Sequence, residues 1–153
     1  MSEKSASVMW TGTGKQGLGQ ISTETGALMN YPYGFASRFG DDRRGTNPEE
    51  ILGAAHAACF TMAFSFVCER AGFATTAIDT RARVSLKAQG AGFLIDRIAL
   101  TLQATVPGLD ETRFQALALT AKQDCPLSKA LTGVPKITLE ATLFVPPVQA
   151  GSA

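Results

Sequence analysis

The sequence predicts an α+β protein in which antiparallel sheets pack on one long, central apolar helix. Three observations carry this. Residues 51–67 are almost wholly apolar and follow a strong helix start. Residues 81–87 and 97–104 each alternate apolar and polar side chains, the two-residue period of a strand with one buried face. Shorter strand-like and helix-like pieces flank these segments, giving strands and helices in separate runs.

Taken in order, the Gly-, Thr- and Ser-rich start holds short apolar pieces at 8–10 and 18–23, which read as antiparallel strands joined by glycine turns. In Thr46-Asn47-Pro48-Glu49-Glu50, Asn47 is a good N-cap and Pro48 loses nothing at the first helical position. Glu50 stands where a capping-box acceptor belongs, and both glutamates favour the positive end of the helix dipole. The helix should run to about Arg70-Ala71, with Gly72 closing it. Ala82, Val84 and Leu86 share one face of the next strand, and Ile98, Leu100, Leu102 and Ala104 share one face of the strand after it. Gln89-Gly90-Ala91-Gly92 turns the chain between them. Pro107-Gly108 breaks the hairpin, and Asp110 caps a second helix to about Lys122. Cys125-Pro126 opens a short third helix that ends by Gly133. Ile137, Leu139, Ala141 and Leu143 alternate as a last strand. One domain is expected over 1–145, with a flexible tail over 146–153 from Pro146-Pro147 onward.

Composition narrows the function. A net charge of +1 argues against a broad electrostatic footprint for nucleic acid or an anionic membrane. Residues 1–7 lack the apolar core of a signal peptide, so a cytoplasmic location is expected. The segment 51–67 falls short of the ~20 residues of a membrane span. It also holds His56, Thr61 and Ser65, and reads as a helix buried on nearly all sides in a soluble protein.

Three cysteines are an odd count without a dense framework, which speaks against a disulfide-stapled secreted fold. With the single His56 they make no zinc set at these intervals, and neither metal nor cofactor is expected. Cys59, inside the apolar helix, reads either as a small core hydrophobe or as a reactive thiol. Cys68, nine residues on, falls on the opposite side of a straight helix at ~3.6 residues per turn and reads as structural. Cys125 directly precedes Pro126, so it can occupy an N-cap where free backbone N–H groups favour a thiolate; an inert turn cysteine is the other reading. A Cys59/Cys125 redox pair stays open, although no CxxC spacing supports it. His56 lies one turn before Cys59. A histidine hydrogen-bonded at a packing face is preferred there over a Cys–His nucleophile pair, which usually needs a third orienting group. Arg38, flanked by Phe35 and Phe39, is ordinarily a snorkelling surface residue, and beside a thiol it is a permanent cation.

The segments Tyr33-Gly34-Phe35-Ala36-Ser37-Arg38-Phe39, Gly45-Thr46-Asn47-Pro48-Glu49-Glu50, Gly53-Ala54-Ala55-His56-Ala57-Ala58-Cys59-Phe60 and Asp124-Cys125-Pro126-Leu127-Ser128 resemble, in order, the OsmC/Ohr family of bacterial osmotically inducible and organic-hydroperoxide-resistance proteins. The stretch from Ser22 through Arg38 looks more like the OsmC branch. The resemblance implies an OsmC-like fold in an intertwined homodimer with two long helices at its centre. It implies a thiol peroxidase in which Cys59 is peroxidatic, Cys125 resolves, Arg38 stabilises the thiolate and the departing alkoxide, and Glu49 orients Arg38. It further implies an organic hydroperoxide substrate and a dithiol reductant of the lipoyl type. Apolar neighbours such as Phe39, Phe60 and Met62 would then favour alkyl hydroperoxides over hydrogen peroxide. A non-catalytic redox sensor or binding protein that uses the same disulfide as a switch is the alternative; it needs only the thiol and a moving element, not the arginine and glutamate.

Overall fold

The computed structural model describes residues 1–147 and 151, so the tail expected over 146–153 falls mostly outside the described residues. The chain groups into two compact units, Met1–Ile51 and Leu52–Ala153.

In the first unit, strands β1 (Ala6–Thr11), β2 (Leu18–Thr23) and β3 (Tyr31–Gly34) form an antiparallel sheet in that order. Gly19 pairs with Trp10 on one side and Tyr33 on the other. A Cβ on Gly19 would run into the Tyr33 ring, and its absence lets the Trp10 and Tyr33 rings meet with centroids 5.4 Å apart. A short helix, α1 (Phe35–Phe39), follows β3 directly. β3 and α1 are too short to carry a periodic signal in the sequence.

Helix α2 (Pro48–Arg70) begins and ends as its sequence dictates. The Asn47 side-chain oxygen accepts the Glu50 N–H at 2.8 Å. The return half of the expected capping box is different: the Glu50 carboxylate accepts the Thr46 hydroxyl at 3.0 Å. At the other end Gly72 takes φ +88°, and the Gly72 and Phe73 N–H groups bond back to the Glu69 and Cys68 carbonyls. This is the paired closure that a left-handed glycine permits.

The expectation that α2 is covered on nearly all sides is corrected within this chain. Gly53, His56, Phe60, Phe64, Val67 and Cys68 are buried, a single stripe at helical spacing. Met62 and Phe66 remain 62% and 51% exposed, beside exposed Ala54, Ala55 and Ala58. One small sheet can cover only one face of a helix, so an all-round apolar helix retains an open face.

The second unit supplies the sheet under that stripe. Strands β4 (Ala77–Gln89) and β5 (Gly92–Thr105) form a long hairpin through Gly90-Ala91, with Gly90 at φ +57°. The register slips between Ser85 and Leu86, which pair with Arg97 and Ile95 and leave Asp96 as the extra residue of a bulge. Helices α3 (Glu111–Asp124) and α4 (Pro126–Ala130) then lead to β6 (Lys136–Leu143). Strand β6 pairs with β5 in parallel, so this sheet is mixed and not antiparallel throughout. The reason is the connection: a helical crossover returns the chain to the starting end of β5, and the next strand enters in the same direction.

β5 is the middle strand, and its Ile98, Leu100, Leu102 and Ala104 are all essentially inaccessible. They join Phe60, Phe64 and Val67 of α2 and Phe114, Ala118 and Ala121 of α3 in one core. Phe64 meets Phe114 edge to face at 5.6 Å. Each fully buried side chain of this size contributes about 1.5–3 kcal/mol. Gly53 brings α2 close to β4, since a Cβ there would stand 3.4 Å from Val84 Cγ2.

Candidate active site

The site residues named from the sequence fall into two pairs, one in each unit. In the first unit Arg38 and Glu49 form a bidentate ion pair. Arg38 Nη2 donates to Glu49 Oε1 at 2.7 Å, and Nε lies 3.2 Å from both carboxylate oxygens. Local structure fixes both partners. Arg38 sits in α1, whose Ser37 hydroxyl donates to the Thr46 carbonyl at 2.8 Å, tying α1 to the residues that precede α2. The Asn47 side-chain amide donates to the Ser37 carbonyl at 3.4 Å. Glu49 lies in the first turn of α2, where the dipole favours its charge. The guanidinium also stands 5.2 Å from the Phe39 ring centroid. A planar fork held by two carboxylate oxygens has a defined direction, which a lone surface arginine lacks.

In the second unit the sulfurs of Cys59 and Cys125 lie 3.3 Å apart and share a hydrogen bond. Both thiols are free. Cys59 comes from the middle of α2, and Cys125 is both the last cap of α3 and the N-cap of α4. Cys125 is fully buried, whereas Cys59 is partly accessible. Their surroundings pull them in opposite directions. Burial pushes the Cys59 thiol up, against a backbone hydrogen bond from Leu127. Burial also works against a Cys125 anion, but the Ser128 N–H, the Cys59 thiol, the Ser128 hydroxyl and the Leu127 N–H outweigh it and bring Cys125 down.

Cys68 is fully buried in the core, and burial raises its thiol to about 11. Its assignment as structural agrees with that setting. Beside Cys59 a hollow is lined by Met62, Ala63, Phe66 and Pro126, together with Arg70 and Asp124. Phe60, named from the sequence as an apolar neighbour of the thiol, instead points into the core and is wholly buried. A model of the family described as OsmC-like protein matches residues 40–140, spanning the α1–α2 junction, both cysteines of the close pair and most of the sheet. The chain belongs to the OsmC family.

Within that family, the chain is 48% identical over 140 residues to Peroxiredoxin OsmC of Escherichia coli, covering 92% of this chain and 96% of that protein. The Organic hydroperoxide resistance protein OhrA of Bacillus subtilis is 36% identical over 101 residues, 63% of this chain and 67% of the relative. The higher identity and coverage of the first place this chain with the OsmC branch. The crystal structure of the Organic Hydroperoxide Resistance Protein OhrB of Bacillus subtilis superposes with a TM-score of 0.66 at 29% identity, over 90% of this chain and 98% of that one. Two sheets and a long central helix are therefore the shared OsmC/Ohr architecture.

His56 is not a partner of Cys59 in this OsmC-family chain. It is fully buried, and its Nε2 lies 2.8 Å from the Ser128 hydroxyl. Burial holds its imidazole towards the neutral form. The packing-face reading of His56 agrees with this bond. Ser128 escaped the sequence reading. The signal was its position three residues after Cys125, within the same turn of α4.

Proposed function

We propose that this chain reduces organic hydroperoxides through a sulfenic acid on Cys59 and a Cys59–Cys125 disulfide, as part of defence against oxidative and osmotic stress. Membership of the OsmC family, together with relatives named as a peroxiredoxin and as organic hydroperoxide resistance proteins, makes it a cysteine-based peroxidase. The single observation that carries the finer reading is the 3.3 Å approach of two free sulfurs, one partly accessible and one buried.

The chemistry follows from the groups. The Cys59 thiolate attacks the terminal peroxide oxygen, the O–O bond breaks, and the alkoxide leaves with its electron pair and takes a proton to become the alcohol. Cys59 is then a sulfenic acid. Burial, together with the neighbouring Cys125, holds the Cys59 proton on, and a nearby cation would favour its ionisation. Arg38 is the proposed cation; it is always charged, and Glu49 holds its orientation. The same guanidinium would stabilise charge developing on the departing alkoxide. Cys125 condenses with the sulfenic acid, and an external dithiol, proposed to be a dihydrolipoyl group, restores both thiols by exchange. Apolar side chains around the hollow beside Cys59 support an alkyl hydroperoxide over hydrogen peroxide.

The protein is proposed to work in the cytoplasm as a homodimer, without nucleic acid, membrane, metal or cofactor. The test is steady-state consumption of cumene hydroperoxide and of hydrogen peroxide, with dihydrolipoamide or thioredoxin supplied. Repeated turnover with the first peroxide and first reductant is expected. Oxidation that stops after one equivalent with every reductant would favour a sensor and overturn the enzyme reading.

A further inference from the structure

A buried chain of polar groups runs behind the cysteine pair. His56 Nε2 lies 2.8 Å from Ser128 Oγ, bridging the first half of α2 to α4. Ser128 stands three residues after Cys125 in the same turn of α4, and its hydroxyl and backbone N–H are among the groups that bring the Cys125 thiol down. Cys125 in turn lies 3.3 Å from Cys59. His56 is wholly inaccessible, and its Nδ1 is buried with no hydrogen-bond partner among the described residues. That orphan decides the tautomer. A proton on Nδ1 would leave a buried N–H unpaired, which folded proteins rarely tolerate, whereas a bare nitrogen there is the lesser cost. The proton therefore sits on Nε2, and His56 donates to Ser128 Oγ. A hydroxyl whose oxygen already accepts that bond directs its own hydrogen away from the imidazole, towards the Cys125 sulfur.

We propose that His56 is a positioning residue for the resolving step: through Ser128 it aims a hydroxyl hydrogen at Cys125 and so favours the thiolate that attacks the Cys59 sulfenic acid. This rests on the reading of Cys125 as the resolving thiol. The step balances internally. The Cys125 thiolate forms a bond to the Cys59 sulfur as the Cys59 S–O bond breaks. The S–O electron pair leaves with hydroxide, and the proton that Cys125 gave up is returned to it, so one water is released. The Cys59 sulfur is reduced by the same amount that the Cys125 sulfur is oxidised, and no further reagent is needed.

The arrangement has a signature that a purely structural role lacks. In the reduced enzyme the two sulfurs share a hydrogen bond. Removing the Ser128 donor disfavours a Cys125 thiolate and leaves a Cys125 thiol to donate to the Cys59 sulfur. Oxidation of Cys59 should then be unchanged or faster, while disulfide formation becomes slower.

The experiment is single-turnover stopped-flow with cumene hydroperoxide on the full chain, following Cys59 oxidation and disulfide formation as separate phases. Ser128→Ala and His56→Leu should slow the second phase about tenfold, the scale of a hydrogen bond to a charged group, without slowing the first. His56→Gln, whose amide N–H reaches a similar position, should restore most of the rate. The double variant should be no slower than Ser128→Ala alone. A second phase at the wild-type rate in Ser128→Ala, equal slowing of both phases, or His56→Gln as slow as His56→Leu overturns the proposal. If His56→Leu does not fold, Ser128→Ala and His56→Gln carry the test. A second measurement does not depend on peroxidase activity. In a Cys59→Ala background, ultraviolet thiolate absorbance should show Cys125 ionising at higher pH when Ser128→Ala is added; no shift overturns the proposal. Cys68, at about 11, titrates apart. Failure of wild-type Cys59 to form a sulfenic acid would sink the peroxidase reading, while the Cys125 titration still decides the role of Ser128.

Discussion

Cys59 Sγ and Cys125 Sγ stand 3.3 Å apart although 66 residues separate them in sequence. A disulfide bond is ~2.05 Å long, so oxidation asks for a closure of little more than an ångström, within the reach of side-chain rotation. One equivalent of organic hydroperoxide should therefore give a Cys59–Cys125 bridge within one chain, with Cys68 left free. Peptide mapping by mass spectrometry reads the pairing. A Cys59–Cys68 bridge would contradict the burial of Cys68 in the core and the helical spacing of the two residues.

Activity and disulfide should also separate by variant. Cys59→Ser should abolish peroxidase activity, because a hydroxyl is a far weaker nucleophile towards peroxide. Cys125→Ser should still react once, then accumulate sulfenic acid, over-oxidise, and lose turnover with a dithiol. Dimedone labelling after a single equivalent distinguishes the two. An active Cys59→Ser variant would remove the central assignment.

The Arg38–Glu49 pair makes a graded prediction. If the guanidinium stabilises the Cys59 thiolate, Arg38→Ala should slow alkylation of Cys59 by iodoacetamide about tenfold near about pH 6–7, the effect of one pK unit. Glu49→Gln should do less, because it loosens the two-oxygen grip on Arg38 without removing the cation. Equal rates in wild type and Arg38→Ala would sever the pair from the thiol.

Particular residues show what was legible in the sequence. Asn47-Pro48 and Gly72 set both ends of α2 through local rules, because capping depends on neighbours within one turn. Ile98, Leu100, Leu102 and Ala104 marked β5 because strict alternation has one structural meaning. β3 and α1 lacked such a signal: each is too short for a period, and Tyr33 finds Trp10 only across two strand pairings around Gly19. The direction of β6 is fixed by the α3–α4 crossover and not by its own alternating residues. The all-round apolarity of α2 was visible, but apolarity does not say whether one sheet or a second chain covers each face. At the site, the motif residues could be named one by one. The bond from His56 to Ser128 spans 72 residues and needs the folded chain.

The open face of α2 predicts self-association. Ala54, Ala55, Ala58, Met62 and Phe66 leave an apolar strip exposed along one helix, and isolated chains rarely tolerate a large one. A homodimer at micromolar concentration is the expected outcome, read as mass by light scattering. Phe66→Glu should shift it towards monomer, since a charge in an apolar interface is costly. A monomeric mass for the wild type at that concentration would refute the dimer.

Cys68 supplies a prediction about alkaline stability. Burial lifts its thiol from the ordinary 9.0 to about 11. The sign follows from linkage. A group whose folded pKa lies above its unfolded one adds stability that is fully present below the unfolded value and is lost as pH rises through the folded one. Below about pH 9 both states hold the proton and the thiol behaves as a small core hydrophobe. Between about 9 and 11 the unfolded chain ionises first, so stability drains away by up to about 2–3 kcal/mol at 1.36 kcal/mol per pK unit. Cys68→Ala removes the titration and leaves a modest packing loss. Wild type should therefore be the more stable protein near neutral pH, and its advantage should shrink and then reverse towards about pH 11. Denaturant unfolding of both proteins across that range checks this, and comparing the two cancels the tyrosines and lysines that titrate there as well. Peroxide turnover near neutral pH should be the same in both, because the Cys68 thiol is packed in the core while the reacting sulfurs are those of Cys59 and Cys125. A stability difference that does not change with pH would mean that Cys68 is not held neutral by burial.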